Sequence, residues 1–432
     1  MKKFLYVVSI SLMVACTNNK KDEFSGRSGT YSGLFKKGSF SDSIVFRLEQ
    51  DSTKWNVYFS SLEQNANGIP FRDIEVKDDS INFKLQSDFF TYSFKNTWEN
   101  NNSALRGSLT VDTMTTTYTL FKTLSGKEGL PVSEDISYVT NGLNISGTIY
   151  YPAEDSKKAL IIVTSSGNSD RSASRAEALL FAKRGYITFI YDKRGTGVSE
   201  GDWSKSSIEE LASDDINAIK QFSEKTAIPL HQIGIKGSSQ GASKIPYILN
   251  ELKDLKYGIA VSCPGSSLLE SDLNYWKNRN SEQLGENIEQ AMNFERKVFE
   301  TIAGEISTES LQEEINSASS EDWFSMVWIP NLNEIEIDRK LKYSPLPFFE
   351  KINQPILIVQ GSMDEIIPED SYQIISQSLE KAHNKTFEIV MLEGASHSMY
   401  DVGQSDFPYW SKLHPKYMDI LENWINNLPE TN

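Results

Sequence analysis

From about residue 130 onward, short runs that are mostly apolar on both faces alternate with stretches of helical periodicity. That alternation restricts the fold more than any other feature of the chain. Ala159–Val163 (ALIIV), Ile187–Tyr191 (ITFIY), Ile233–Lys236 (IGIK), Tyr257–Val261 (YGIAV), Pro355–Val359 (PILIV) and Phe387–Leu392 (FEIVML) are the strand candidates. A strand without a polar face must be covered on both sides, which a parallel sheet achieves through helical crossovers. Ser207–Lys225 supplies one crossover, with Ile208, Leu211, Ile216, Ile219 and Phe222 on one stripe. The expected architecture of 130–432 is therefore α/β, a doubly wound and mostly parallel sheet. Between 266 and 344 the alternation stops. This stretch is rich in Glu, Asn and Ser, has helical spacing around Met292–Ile302, and carries Trp276, Trp323, Phe324 and Trp328. Inserted between two strands, it reads as a helical cap with tryptophans at its entrance.

Residues 24–124 follow a different rule, a period of two with no long helical stretch. Ser43–Gln50, Lys54–Ser61, Ile81–Leu85 and Thr91–Phe94 alternate apolar and polar residues, separated by turn clusters such as Asp78-Asp79-Ser80 and Asn100-Asn101-Asn102-Ser103. This pattern implies a small all-β domain, an antiparallel sandwich or barrel. Trp55, Tyr58, Phe59, Tyr92 and Trp98 either fill its core or line a binding face, and core is the commoner use of such residues. Ser125–Pro131 is the expected linker.

The first sixteen residues do not read as fold. Met1-Lys2-Lys3 is basic and Phe4 to Ala15 is apolar, about a dozen residues against the ~20 that a membrane helix needs. A basic end, a short apolar run and a small residue before cleavage describe a secretory signal. The ending Leu12-Met13-Val14-Ala15-Cys16 resembles the lipobox of bacterial lipoproteins, which implies acylation of Cys16 and attachment to a membrane. Residues 17–23 form a polar tether, and its Lys21-Asp22-Glu23 resembles signals that send Gram-negative lipoproteins to the cell surface. The expected location is the outer membrane, on its periplasmic or outer face.

The balance of charge excludes some partners. With 43 Lys and Arg against 59 Asp and Glu, the formal net charge is −16, and such a surface repels phosphate backbones. Two cysteines, Cys16 and Cys263, offer neither a disulfide framework nor a zinc cluster. Cys263, in the apolar run YGIAVSCPG, is expected to be a buried small hydrophobe.

Gly237-Ser238-Ser239-Gln240-Gly241 lies between the strand Ile233–Lys236 and the helical Ala242–Leu252. A serine on a strand-to-helix turn flanked by glycines is exposed on a strained bend at the sheet edge. A serine hydroxyl needs a base and an orienting carboxylate. Gly361-Ser362-Met363-Asp364 and Glu393-Gly394-Ala395-Ser396-His397 each fall just past a strand end, where sites of α/β folds gather. The order Ser, Asp, His is the one such a fold uses.

On these motifs the segment 130–432 resembles the α/β-hydrolase family, in particular two-domain bacterial serine esterases. GSSQG resembles its nucleophile elbow, GSMDEIIP its acid loop and GASHSM its histidine loop. The resemblance implies Ser239 as nucleophile, His397 as general base and acid, and Asp364 as its orienting partner. His231, His383 and His414 lack a matching context. The oxyanion hole would use the backbone N–H of Gln240 and one from the loop after Ala159–Val163, with Ser166 favoured and Gly167 second. Many relatives carry His-Gly where this chain has Thr164-Ser165. Asp192-Lys193-Arg194-Gly195 also resembles the family; Asp192 and Arg194, like Asp170-Arg171, are read as ion pairs bracing turns ahead of substrate contacts.

The implied function is hydrolysis of a small-molecule carboxylic ester through an acyl-enzyme, with no metal or organic cofactor. A serine peptidase or an acyl thioesterase would use the same triad. The reading from another class is a non-catalytic lipoprotein binding a glycan or lipid at the surface.

Overall fold

The computed structural model describes residues 26–51, 54–87, 89–123 and 131–429. The lipobox, Cys16, the tether and all of the expected linker except Pro131 lie outside the described residues. The chain divides into two compact units. One holds Val45–Tyr58, Pro70–Ser125 and a segment ending at Gly33; the other holds Leu34–Ile44, Phe59–Ile69 and the segment beginning at Gly126.

The N-terminal strands are β1 (Gly29–Lys37), β2 (Phe40–Asp51), β3 (Lys54–Ser61), β4 (Ala66–Pro70), β5 (Arg72–Lys77), β6 (Ser80–Gln86), β7 (Thr91–Glu99), β8 (Ala104–Val111) and β9 (Met114–Lys122). They form one sheet in the order β4-β3-β2-β1-β9-β8-β7-β6-β5. The pairings from β5 through β9 to β1 are antiparallel. In the first unit, Phe46 on β2 meets Phe83 on β6 at 5.4 Å and Phe94 on β7 at 5.5 Å between ring centroids. Those strands stand far apart in the sheet order, so the sheet curls until its apolar face closes on itself. Trp55, Phe59, Tyr92 and Trp98 are buried. Tyr58 stays partly exposed beneath the Arg47 guanidinium, 4.2 Å from its ring centroid.

The second unit contains an eight-stranded sheet. It opens with β10 (Val132–Thr140) and β11 (Leu143–Tyr151), and continues with β12 (Ala159–Ile162), β13 (Ile187–Tyr191), β14 (Ile233–Ser238), β15 (Tyr257–Val261), β16 (Ile356–Met363) and β17 (Phe387–Ser396). The order is β10-β11-β13-β12-β14-β15-β16-β17. β11 runs antiparallel to both neighbours, and every pairing from β13 to β17 is parallel. β12, β13 and β15 are buried along their whole length, as strands covered on both faces must be.

Helices α1 (Arg175–Lys183), α2 (Ile208–Thr226), α3 (Gln240–Glu251), α4 (Leu268–Leu284), α5 (Ile288–Ile302), α6 (Thr308–Ala318), α7 (Leu346–Phe349), α8 (Ser371–Lys381) and α9 (Tyr417–Asn426) follow in chain order. Successive strand residues point to opposite faces. Ile161, Ile235 and Ile358 pack with Phe222 of α2, Ile245 of α3 and Leu379 of α8. Leu160, Ile259 and Leu357 pack with Phe181 of α1 and Leu421 of α9. This is an α/β-hydrolase fold, preceded by a small all-β domain.

Helices α4, α5 and α6 occupy the insertion between β15 and β16 and share a core of Leu284, Phe294, Val298, Leu311 and Trp323. Here the sequence expectation of tryptophans at the entrance is corrected. Trp323 is buried inside the helical insertion, Trp276 packs beside it, and Trp328 faces solvent. Trp323 folds from a turn after α6 onto Phe294 of α5, where burial of a large ring is worth most, and the other two rings line no part of the pocket described below. No helix among the described residues is long and apolar enough to cross a membrane.

Candidate active site

The chain leaves β12 for β13 on one side and leaves β14 for β15 on the other. A crevice therefore opens beyond the carboxyl ends of β12 and β14, the switch point of the sheet. The loops that follow those two strands carry the expected oxyanion donors and the expected nucleophile.

Ser239 sits between β14 and α3 with φ 55° and ψ −125°. This conformation is unfavourable for a residue with a Cβ, and such strain is typical of functional bends. The flanking glycines allow it. A Cβ on Gly237 would lie 2.4 Å from the Gly241 carbonyl oxygen, and one on Gly241 would lie 2.9 Å from that of Thr164. Gln240 opens α3, so its N–H has no acceptor within the helix and adds to the positive end of the helix dipole.

His397 follows β17 and Asp364 follows β16. The imidazole Nδ1 lies 2.9 Å from Asp364 Oδ1 and 3.1 Å from Oδ2. Asp364 is buried and also accepts the N–H groups of Ile366 and Ile367 at 2.9 and 3.0 Å. Held in this way, the carboxylate fixes the tautomer with its proton on Nδ1, leaving Nε2 as an acceptor. The histidine loop is anchored by Ser262, whose hydroxyl donates to the His397 carbonyl at 2.8 Å.

Ser239, His397, Ser165 and Ser166 line one pocket of about 480 Å³. No hydrogen bond joins the Ser239 hydroxyl to the imidazole among the described residues; such links commonly tighten only as substrate seats. The remaining histidines stand apart: His231 lies in a short turn before β14, His383 follows α8, and His414 accepts from the Lys416 N–H. Cys263 is a buried free thiol, pushed far above its ordinary range by desolvation.

The braces expected around the site are present. Asp192 accepts from the Arg171 N–H at 2.8 Å, from its guanidinium at 2.9 Å and from the Val198 N–H at 3.2 Å. Arg194 pairs with Asp214 through two hydrogen bonds of 2.6 and 2.9 Å. Asp170 caps the turn at Ser172.

Other residues of the site were not read from the sequence. Lys236 Nζ donates to Glu177 and to the Ser238 hydroxyl, both at 2.7 Å, and Tyr417 donates to the same Glu177 at 2.9 Å. All four line the pocket. Asp272 reaches the pocket from α4. Its carboxyl keeps contact with solvent, and crowding by the surrounding chain, reinforced by the charge of Asp338, raises it above the ordinary carboxylate range. The alternation of Lys236 and Ser238 with the buried Ile235 and Gly237 along β14 could have pointed to the first cluster.

The fold, the strained serine and the carboxylate-held histidine define a serine hydrolase of the α/β-hydrolase class. The model of the X-Pro dipeptidyl-peptidase (S15) family matches residues 141–398, more than half of the chain, and the protein belongs to that family. No curated protein matches it. Solved structures similar to it include an esterase of Pyrococcus furiosus at 16% identity, covering 68% of this chain and 92% of that one, with a TM-score of 0.42. The α/β hydrolase GrgF of Penicillium sp. sh18 is 19% identical over 68% of this chain and 97% of its own, at a TM-score of 0.44. An α/β serine hydrolase homologue of Coxiella burnetii is 15% identical over 68% and 97%, at 0.38.

Proposed function

We propose that the protein hydrolyses carboxylic esters by acyl transfer through Ser239. The observation that carries this reading is the pairing of His397 with a buried Asp364 in the same pocket as a serine held at φ 55°. Ser239 Oγ adds to the ester carbonyl while His397 Nε2 takes its proton. The N–H groups of Gln240 and Ser166 hold the oxyanion, and His397 returns the proton to the leaving alcohol. Water then repeats the two steps on the acyl-enzyme. A pocket of about 480 Å³ is of the size that takes a small-molecule ester.

A second reading, cleavage of an aminoacyl or X-Pro amide, is favoured by family membership and by Asp272, a carboxyl facing the pocket that could receive a substrate ammonium. Both bonds pass through the same tetrahedral intermediate. A panel of p-nitrophenyl esters beside aminoacyl and X-Pro p-nitroanilides decides between them. The ester reading expects kcat/KM higher on the esters by tenfold or more, about 1.4 kcal/mol; preference for the amides overturns it in favour of the second.

The same proposal places the enzyme on a membrane through an acylated Cys16. Cys16→Ser should then move the protein from the membrane fraction to the soluble one. Unchanged membrane partitioning would count against the anchor.

A further inference from the structure

Lys193, in the loop after β13, is 4% exposed and carries an ammonium with an unusual set of neighbours. Its Nζ donates to the Ser165 carbonyl oxygen at 2.6 Å. Among the described residues no carboxylate lies within ion-pair distance of it. A buried cation without a counter-ion is unfavourable, and an apolar side chain of the same length would normally serve stability better. The charge is therefore retained for what it faces.

What it faces is the peptide that joins Ser165 to Ser166. A trans peptide points its carbonyl and its N–H in opposite directions. With the Ser165 oxygen held against Lys193, the Ser166 N–H points away from the ammonium. That N–H has no hydrogen-bond acceptor among the described residues, and Ser165 and Ser166 both line the pocket of Ser239. The loop is tied to the elbow as well, since Ser165 Oγ donates to the Ser238 carbonyl at 2.9 Å. A cation on the carbonyl oxygen withdraws electron density through the amide and strengthens its N–H as a donor.

We infer that Lys193 is a positioning residue for the oxyanion hole: its ammonium orients and polarises the Ser165–Ser166 peptide so that the Ser166 N–H stabilises the tetrahedral intermediate. The inference rests on the acyl-transfer reading and adds to it a residue that touches no substrate.

The surroundings give this role a pH signature. Lys193 is packed against the Trp203 ring, 4.7 Å from its centroid, and the Lys340 ammonium lies 5.8 Å from the same ring. Lys244 on α3 and Asp215 on α2 are the other charges acting on it. Desolvation pushes Lys193 down to about 8; Lys244 and Lys340 add to the effect and Asp215 opposes it. The charge on the Ser165 carbonyl is lost as pH rises through that value.

The test uses the full chain as wild type, Lys193→Met and Lys193→Arg, with a p-nitrophenyl ester as substrate. An alkyl boronic acid, which forms a tetrahedral adduct on serine, serves as the transition-state probe. Deleting a whole oxyanion donor lowers kcat by about 10²–10³, so weakening one should lower it by roughly 10- to 100-fold. Lys193→Met should show that loss with KM little changed, a boronate affinity reduced by a similar factor, and a thermal midpoint no lower than wild type. Wild-type kcat should fall as pH rises through about 8; Lys193→Arg should recover rate and move that limb upward, because guanidinium stays charged. Lys193→Met with wild-type kcat and boronate affinity overturns the inference. A wild-type profile without an alkaline limb overturns it too, and requires no folded variant. Ser239→Ala separates the two levels. If it is inactive while Lys193→Met behaves as wild type, only the role of Lys193 fails; if it keeps full activity, the acyl-transfer reading fails and takes the inference with it.

Discussion

Replacing Lys244 by Met should destabilise the second unit by several kcal/mol, and a second substitution at Asp215 should restore most of it. Lys244 and Asp215 have side chains 0% and 1% exposed, with Nζ 2.5 Å from Oδ2. Tyr191 donates to Asp215 Oδ1 at 2.6 Å and Thr164 at 3.1 Å, and Lys244 also donates to Thr164 at 2.9 Å. Lys244→Met leaves the carboxylate with two hydroxyl partners and no cation in contact with it, in a place water does not reach. Breaking a buried pair in this way costs about 3–5 kcal/mol. Lys244→Met with Asp215→Asn removes the stranded charge and keeps an acceptor for both hydroxyls, so the double variant should return to within roughly 1–2 kcal/mol of wild type. The two-unit architecture makes a single spectroscopic transition ambiguous. Urea unfolding is therefore best followed by residual ester hydrolysis beside tryptophan fluorescence, and the coupling energy taken from the double-mutant cycle. A coupling of 2 kcal/mol or more is the expected result. Single variants that each cost less than ~1 kcal/mol and add independently would refute the reasoning, because burial of a real ion pair does not permit either.

Four other outcomes follow from the same structure. Ser239→Ala should lower kcat by about 10⁶ with the fold intact, measured on p-nitrophenyl esters. Ser239→Gly should be equally inactive yet more stable by about 1 kcal/mol, because glycine relieves the backbone strain at φ 55°; a less stable glycine variant would contradict the assignment of strain. Asp364→Asn should keep the geometry and lower kcat by about 10⁴ through the wrong imidazole tautomer, measured in the same assay. Glu295, buried on α5 with neither carboxyl oxygen in a well-formed hydrogen bond, is raised to about 8 by desolvation, which the Trp328 backbone only partly offsets. The folded state then binds its proton more tightly than the unfolded chain, so stability should fall as pH rises from about 4.5 to about 8 and level off above. Glu295→Gln should flatten that slope in pH-dependent thermal unfolding.

The residues that were legible in the sequence are those whose chemistry fixes both type and place. A serine between close-packed glycines after a strand, an acid after the next strand pair and a histidine after the last could be read because catalysis requires them at strand ends. The fold was legible for a related reason, since runs as short as ITFIY and ALIIV, alternating with helical stretches, fit strands covered on both faces. Lys193, Lys244 and Asp215 were not legible. Lys193 reads as part of a polar turn, Lys244 and Asp215 as helix residues, and nothing local says that α2, α3 and the β13 loop bring them together behind Thr164 and Ser165. The β10–β11 hairpin was missed although Asn141-Gly142 marks its turn. Its strands are half polar and blend with the region before them. The facing of the insertion's tryptophans is not legible, because composition shows that rings exist, while Trp323 and Trp328 lie in irregular segments whose direction only tertiary packing sets.

The central claim is that the Ser239 hydroxyl is the activated nucleophile, and covalent capture tests it most directly. A fluorophosphonate incubated with the full chain should attach at one site, and peptide mass spectrometry should place it on the segment containing Ser239. Labelling should be absent in Ser239→Ala and strongly slowed in His397→Ala. Steady ester hydrolysis by protein that carries no label, or a label on any other residue, would contradict the account.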